Sequence, residues 1–199
     1  MAICYPPILG FFAFIFNFQG TPLHAAAFLG YPKLFPYGSG AVRVGDREGK
    51  TPLHYAARRD RVRAIVILLN EGADIHAKDE DGHTALHDAA DYGSLQAVKT
   101  LVRSGAQIDI GDKSGKIPVQ KAAQSGQIEI VRYLLDISPN ISRESTSALW
   151  SAVFNNWVET AKVAIAKGAD IKSERSGKTL LESARSSEMI QMLQEAQAE

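Results

Sequence analysis

The chain of 199 residues has one cysteine, Cys4, and no excess of either charge, with 22 basic and 22 acidic side chains. A single thiol excludes an internal disulfide framework and points to a reducing compartment. Balanced charge excludes the broad electrostatic footprint of a nucleic-acid binder or of a protein held on an anionic membrane. Charge is missing altogether from residues 1–20, MAICYPPILGFFAFIFNFQG, and the first Lys or Arg is Lys33. With no basic n-region and no clean small-residue cleavage site, that stretch lacks the marks of a secretory signal. Its apolar run from Ile8 to Phe18 has 11 residues and includes Asn17, whereas a membrane span needs roughly 20. The expectation is a hydrophobic segment that covers the open end of the following unit, or the remnant of a preceding one. An anchor over residues 3–18 is the competing reading.

Catalytic chemistry is lacking too. Ser176-Gly177-Lys178-Thr179 looks like the end of a phosphate-binding loop, but that motif needs a glycine five residues earlier, where Lys172 stands. No serine–histidine–acid or cysteine–histidine constellation emerges, because the polar residues recur instead of converging. The expectation is a chain with no enzyme activity, no catalytic residue, no cofactor and no metal site.

What the sequence does have is a repeat. DREGKTPLHYAARRDRVRAIVILLNEGADIHAK, residues 46–78, returns as DEDGHTALHDAADYGSLQAVKTLVRSGAQIDIG, and Thr51 to Thr84 and Gly49 to Gly82 to Gly115 step by 33. Thr51 is a helix N-cap type, and Pro52 follows at the first helical position, where its missing N–H costs nothing. Leu53, Ala56 and Ala57 give that helix one small apolar face. After Arg58 to Arg61, residues Ala64, Ile65, Ile67, Leu68 and Leu69 supply a second amphipathic helix, and Gly72 suits its C′ position. Such a hairpin cannot bury both faces alone, so it must stack on copies of itself. Leu68, Leu69, Leu101 and Leu134 are expected in the core.

The period, the Thr-Pro-Leu-His tetrapeptide, the alanine pair and the later Gly-Ala-Asp together resemble the ankyrin-repeat family. The resemblance implies an all-α solenoid of stacked helical hairpins with short β-hairpin fingers. Its units are expected near 21–45, 46–78, 79–111, 112–146 and 147–173, with a C-terminal cap over 174–199. Several departures carry expectations of their own. In the first unit Pro32, Pro36, Gly38 and Gly40 fall where the second helix belongs, so that helix should be short or missing. In the fourth, Ser138-Pro139-Asn140 replaces Gly-Ala-Asp, and the next start, Ser147, comes three residues early, so the finger there should be clipped. Gln120 and Trp150 occupy the histidine position of the fourth and fifth units.

His24, His54 and His87 come one per unit on stacked helices about 8 to 10 Å apart, too far for one zinc ion with bonds of about 2 Å. By resemblance to the family, this histidine bonds neighbouring backbone and is structural. The resemblance also implies that partners are held by the fingers and the exposed ends of the first helices, on the concave side. Carried over by alignment, the positions are Arg47, Glu48, Lys50, Arg58 and Arg59; then Glu80, Asp81, His83, Asp91 and Tyr92; then Lys113, Ser114, Lys116, Gln124 and Ser125; then Phe154 and Asn155. Charge alternates in bands along the units, net +3, −3 and +2. One reading is a partner with complementary bands, anchored on Tyr92 and Phe154; the other is that adjacent bands pair with each other as exposed ions. The expected protein is a monomeric scaffold or adaptor in the cytoplasm or nucleus, binding another protein and no nucleic acid. A membrane-associated adaptor and the ankyrin part of a larger signalling protein are the alternatives.

Overall fold

The computed structural model describes residues 21–31 and 41–198. The readings of residues 1–20, and of Pro32 to Gly40 within the first unit, lie outside the described residues. Each first helix begins after an extended N-cap residue: α1 (Pro22–Leu29), α2 (Pro52–Arg58), α4 (Ala85–Asp91) and α6 (Pro118–Gln124). Second helices follow as α3 (Val62–Asn70), α5 (Leu95–Arg103), α7 (Ile128–Asp136) and α9 (Val158–Ala166). Between α1 and α2 the described chain holds one 3₁₀ turn, Ala41–Arg43, which buries Val42. The fifth first helix is α8 (Ile141–Phe154), and the chain closes with β1 (Glu174–Arg175), β2 (Lys178–Thr179), α10 (Leu180–Ser183) and α11 (Ser187–Ala198).

The helices form two rows. First helices contact in the order α1, α2, α4, α6, α8, and second helices in the order α3, α5, α7, α9, α11. The alanine pairs explain the first row: Ala26-Ala27, Ala56-Ala57, Ala89-Ala90 and Ala122-Ala123 are buried to 1% exposure or less. With only a methyl group at the contact, helix axes approach at the close end of the usual packing range. Between the rows Leu68, Leu101 and Leu134 are fully buried, whereas Leu69 is half-buried against the core edge.

Two findings differ from the sequence pattern. At 46–50, 79–83 and 112–116 the fingers are tight turns rather than strand ladders; among the described residues the only strand pair is β1–β2. An aspartate closes each turn, with Oδ1 of Asp46, Asp79 and Asp112 accepting from two backbone N–H groups further on. Before the fifth unit the finger is replaced by helix: α8 starts at Ile141, six residues ahead of Ser147. No glycine or proline follows Pro139 in that stretch to stop it.

The turns between first and second helices repeat a second device. Arg61 Nε, Ser94 Oγ, Gln127 Nε2 and Trp157 Nε1 donate to the carbonyls of Phe28, Arg58, Asp91 and Gln124, each in the preceding unit. Three of these side chains lie over a glycine, and at Gly126 (φ 69°) a Cβ would come within 2.7 Å of the Trp157 ring. Where the turn carries Asp60 instead, its partner is the small Ser94. Bulk on one side is matched by its absence on the other.

Removing a buried leucine from this stack leaves a cavity that rigid neighbours cannot fill. Leu101→Ala is expected to lower unfolding free energy by about 2 to 5 kcal/mol, read from urea midpoints at constant slope; a change below about 0.5 kcal/mol would contradict the stacking.

Candidate functional site

The face built by the first helices and fingers is assembled from within outward. At its floor, each Thr backbone N–H of Thr21, Thr51 and Thr84 donates to Nδ1 of the histidine three residues on, at 3.0 to 3.1 Å. The far nitrogens, Nε2 of His24, His54 and His87, lie 2.8 to 3.0 Å from the carbonyls of Lys50, His83 and Lys116 in the next finger. A carbonyl only accepts, so Nε2 carries the proton and each ring is neutral. Burial lowers the pKa of all three and outweighs the raising effect of the accepting carbonyl; His87 falls from 6.5 to about 4. As pH drops from 6.5 towards 4, unfolded chains take up protons that folded His87 refuses, so its contribution costs stability across that window and is level above it. These rings are structural rods between units. Gln120 keeps half of the arrangement, its Oε1 accepting from Ile117 N–H at 2.9 Å, and Trp150 keeps the other half, its Nε1 donating to Ser173 Oγ at 3.0 Å.

Fingers also bond to each other. Glu80 N–H donates to the Glu48 carbonyl and Lys113 N–H to the Asp81 carbonyl, both at 2.9 Å. Gly82 (φ 81°) permits this approach, since a Cβ there would meet Lys113 N at 2.8 Å. Above this backbone Lys50 Nζ sits 2.9 Å from Glu48 and 3.2 Å from Asp79. Burial draws the Lys50 ammonium down, but the two carboxylates outweigh it and raise its pKa. His83 bridges onward, with Nδ1 3.5 Å from Asp79 and Nε2 3.3 Å from Asp112. The charge bands are thus partly spent inside the protein.

The same holds at the first-helix ends. The Arg59 guanidinium lies 4.1 Å over the Phe28 ring and that of Arg58 4.0 Å over Tyr92. Asp91 accepts from Ser125 Oγ and stands 4.0 Å from Lys121. Of the positions expected to bind a partner, Arg47, Arg59, Glu80, Asp81, Tyr92, Lys113, Phe154 and Asn155 are exposed, while Lys50, Arg58, His83, Asp91, Lys116 and Gln124 are half-buried. Tyr92 is 50% exposed and Phe154 59%. Trp157, although 45% exposed, is committed to Gln124 and Gly126.

Sequence reasoning missed two features of this face. A pocket of about 350 Å³ opens between α6, α8 and the β1–β2 hairpin, with Trp150, Phe154, Lys116, Arg175 and Lys178 in its walls. Its signal was diffuse, because the residues come from three units. The second is Asp88, on the floor of the face in α4. Its Oδ2 is buried without a hydrogen bond, and burial pushes its pKa up to about 7 despite Lys50, with Asp79 and Asp91 adding and Arg58 opposing. Asp79, Asp81 and His83 bring ligand atoms within 4.8 Å of one another, but the Lys50 ammonium already neutralises Asp79, which disfavours a cation there.

Asp88 binds its proton more tightly folded than unfolded, so its contribution is favourable below about pH 4 and is lost as pH rises to about 7. Asp88→Asn is therefore expected to raise unfolding free energy at pH 8 by roughly 1 to 3 kcal/mol, the cost of a buried unsatisfied charge, and by much less at pH 5. Urea melts at both values check this; an equal effect at the two pH values would contradict the burial.

Family models described as ankyrin repeats match residues 65–144 and 37–87. No curated protein matches in sequence. Among solved structures the chain is similar to the ankyrin repeat domain of Bcl-3, described as a unique member of the IkappaB protein family. The two are 30% identical with a TM-score of 0.71, over 89% of this chain and 83% of that one. Among the described residues no helix is long and apolar enough to cross a membrane. Fold, recurring polar contacts, the family models and the structural match agree: the chain is built as a protein-interaction module and belongs to the ankyrin-repeat family.

Proposed function

We propose that the chain is a non-catalytic scaffold or adaptor that grips one partner protein along its finger tips and first-helix ends, the concave side. The observation that carries this reading is the exposure of Tyr92 and Phe154, 50% and 59%, on one face, with Asp91 between them held by Ser125 and Lys121. Exposed aromatic side chains are the usual energetic anchors of an interface. Arg47, Glu80, Asp81, Lys113 and Asn155 are exposed beside them and supply a polar rim. Lys50 and His83 act on the fingers, holding one to the next, more than on a partner.

Binding by such a surface needs little reordering. The neighbouring fingers are tied by backbone hydrogen bonds and the helix ends by cation–ring contacts, so the partner meets positions already fixed. Monomeric state and a cytoplasmic or nuclear location belong to the same proposal, as do the roles of Arg58, Asp91, Lys116 and Gln124 as half-buried contacts.

The test is affinity capture from lysate with the intact chain beside a double variant, Tyr92→Ala with Arg59→Glu, both shown by circular dichroism to be equally helical. A protein retained by the first and lost by the second supports the reading. Equal recovery by both would overturn it, and so would capture of no protein by the intact chain.

A further inference from the structure

We infer that the pocket between α6, α8 and the β1–β2 hairpin is a docking site for an acidic, apolar-flanked segment of a partner protein. The inference rests on the interaction-module reading and adds the chemistry of what is bound. Three cationic side chains, Lys116, Arg175 and Lys178, line the pocket, and no carboxylate does. None of the three takes part in an ion pair among the described residues. The carboxylate that Lys178 acts on belongs to Glu182, which lies outside the pocket walls and accepts from the Thr179 backbone at 2.7 Å and from the Thr179 hydroxyl at 3.1 Å. The pocket thus gathers three cations that have no ion pair, with no carboxylate in the walls between them.

Apolar surface in the same walls narrows the occupant. Phe154 is 59% exposed, with the Arg185 guanidinium 4.7 Å from its ring centroid, and Trp150 is held in place by its bond to Ser173. A bare anion has no use for these rings, whereas a peptide carrying carboxylates beside an aromatic or aliphatic side chain meets both kinds of wall. The volume, about 350 Å³, suits a few side chains rather than a folded domain; it is near the small end of ligand pockets, about 300 to 1,000 Å³. Position supports the same orientation. The acidic band of Glu80, Asp81 and Asp91 lies towards the N-terminal side, so an acidic segment is repelled there and directed to the C-terminal units.

Three probes separate the possibilities by NMR on the ¹⁵N-labelled full chain: the peptide Ac-Glu-Asp-Phe-Glu-Asp-NH₂, the same peptide with lysine in place of every acid, and inorganic phosphate. The acidic peptide is expected to move the Trp150 indole N–H and the backbone amides of Phe154 and Lys178, with an affinity that falls as salt rises. Arg175→Glu with Lys178→Glu, both at exposed positions, should weaken it by about tenfold or more at an unchanged unfolding midpoint, and Phe154→Ala should weaken it while leaving the cations in place. An equal response to phosphate or to the basic peptide overturns the inference, as does no response at millimolar acidic peptide. Shifts confined to the Arg47, Arg58 and Arg59 end also overturn it, yet leave the wider reading of the face intact.

Discussion

An alanine pair on each first helix sets the distance on which everything else depends. Only methyl groups stand between α1, α2, α4 and α6, so their backbones lie close enough for one imidazole to span from a helix start to the next finger. That spacing in turn brings finger to finger within backbone hydrogen-bond reach, and the same approach requires glycine at position 82. A bulkier residue in any pair would push the helices apart and break both kinds of contact together. Each unit is thus specified by its neighbours as much as by its own sequence.

Much of this was legible in the sequence because the physics repeats with the residues. Thr51, Pro52, Leu53 and His54 mark a helix start by their types alone, and Gly72 adopts the positive φ its position suggests. Hidden parts share a cause: they are made by different residue types doing one job, or by residues brought together from different units. The bond to the preceding unit uses Arg61, Ser94, Gln127 and Trp157 in turn, and nothing in those four letters recurs. The early start of α8 at Ile141 was hidden because family alignment places the helix by its Ser147 signal, while propagation depends only on nothing interrupting the turns before it. Asp88 reads as an ordinary surface residue between His87 and Ala89, and only the stack reveals it as a buried carboxylate.

The candidate site follows the same division. Lys50 and Asp79 pair across fingers, and His83 sits between Asp79 and Asp112, so the alternating bands seen in the sequence are in part mortar between units. Exposed aromatic surface remains at Tyr92 in the centre, under Arg58, and at Phe154 at the C-terminal end, where Lys116, Arg175 and Lys178 line a pocket with no carboxylate. Buried acid–base groups act on the fold in opposite senses as pH changes, the three histidines on one side and Asp88 on the other. Neutral His87 disfavours acid below about 6.5, and Asp88 disfavours the ionised state approached near 7.

The central claim is that partners meet the first-helix row and not the second. Its most direct test is a photoreactive phenylalanine analogue placed singly at Tyr92, at Phe154, or at Val66, a second-helix position that is 43% exposed. Irradiation in cells should give the same crosslinked protein from positions 92 and 154 and none from position 66. A crosslink from position 66 alone, or an indistinguishable pattern from all three, would contradict the account.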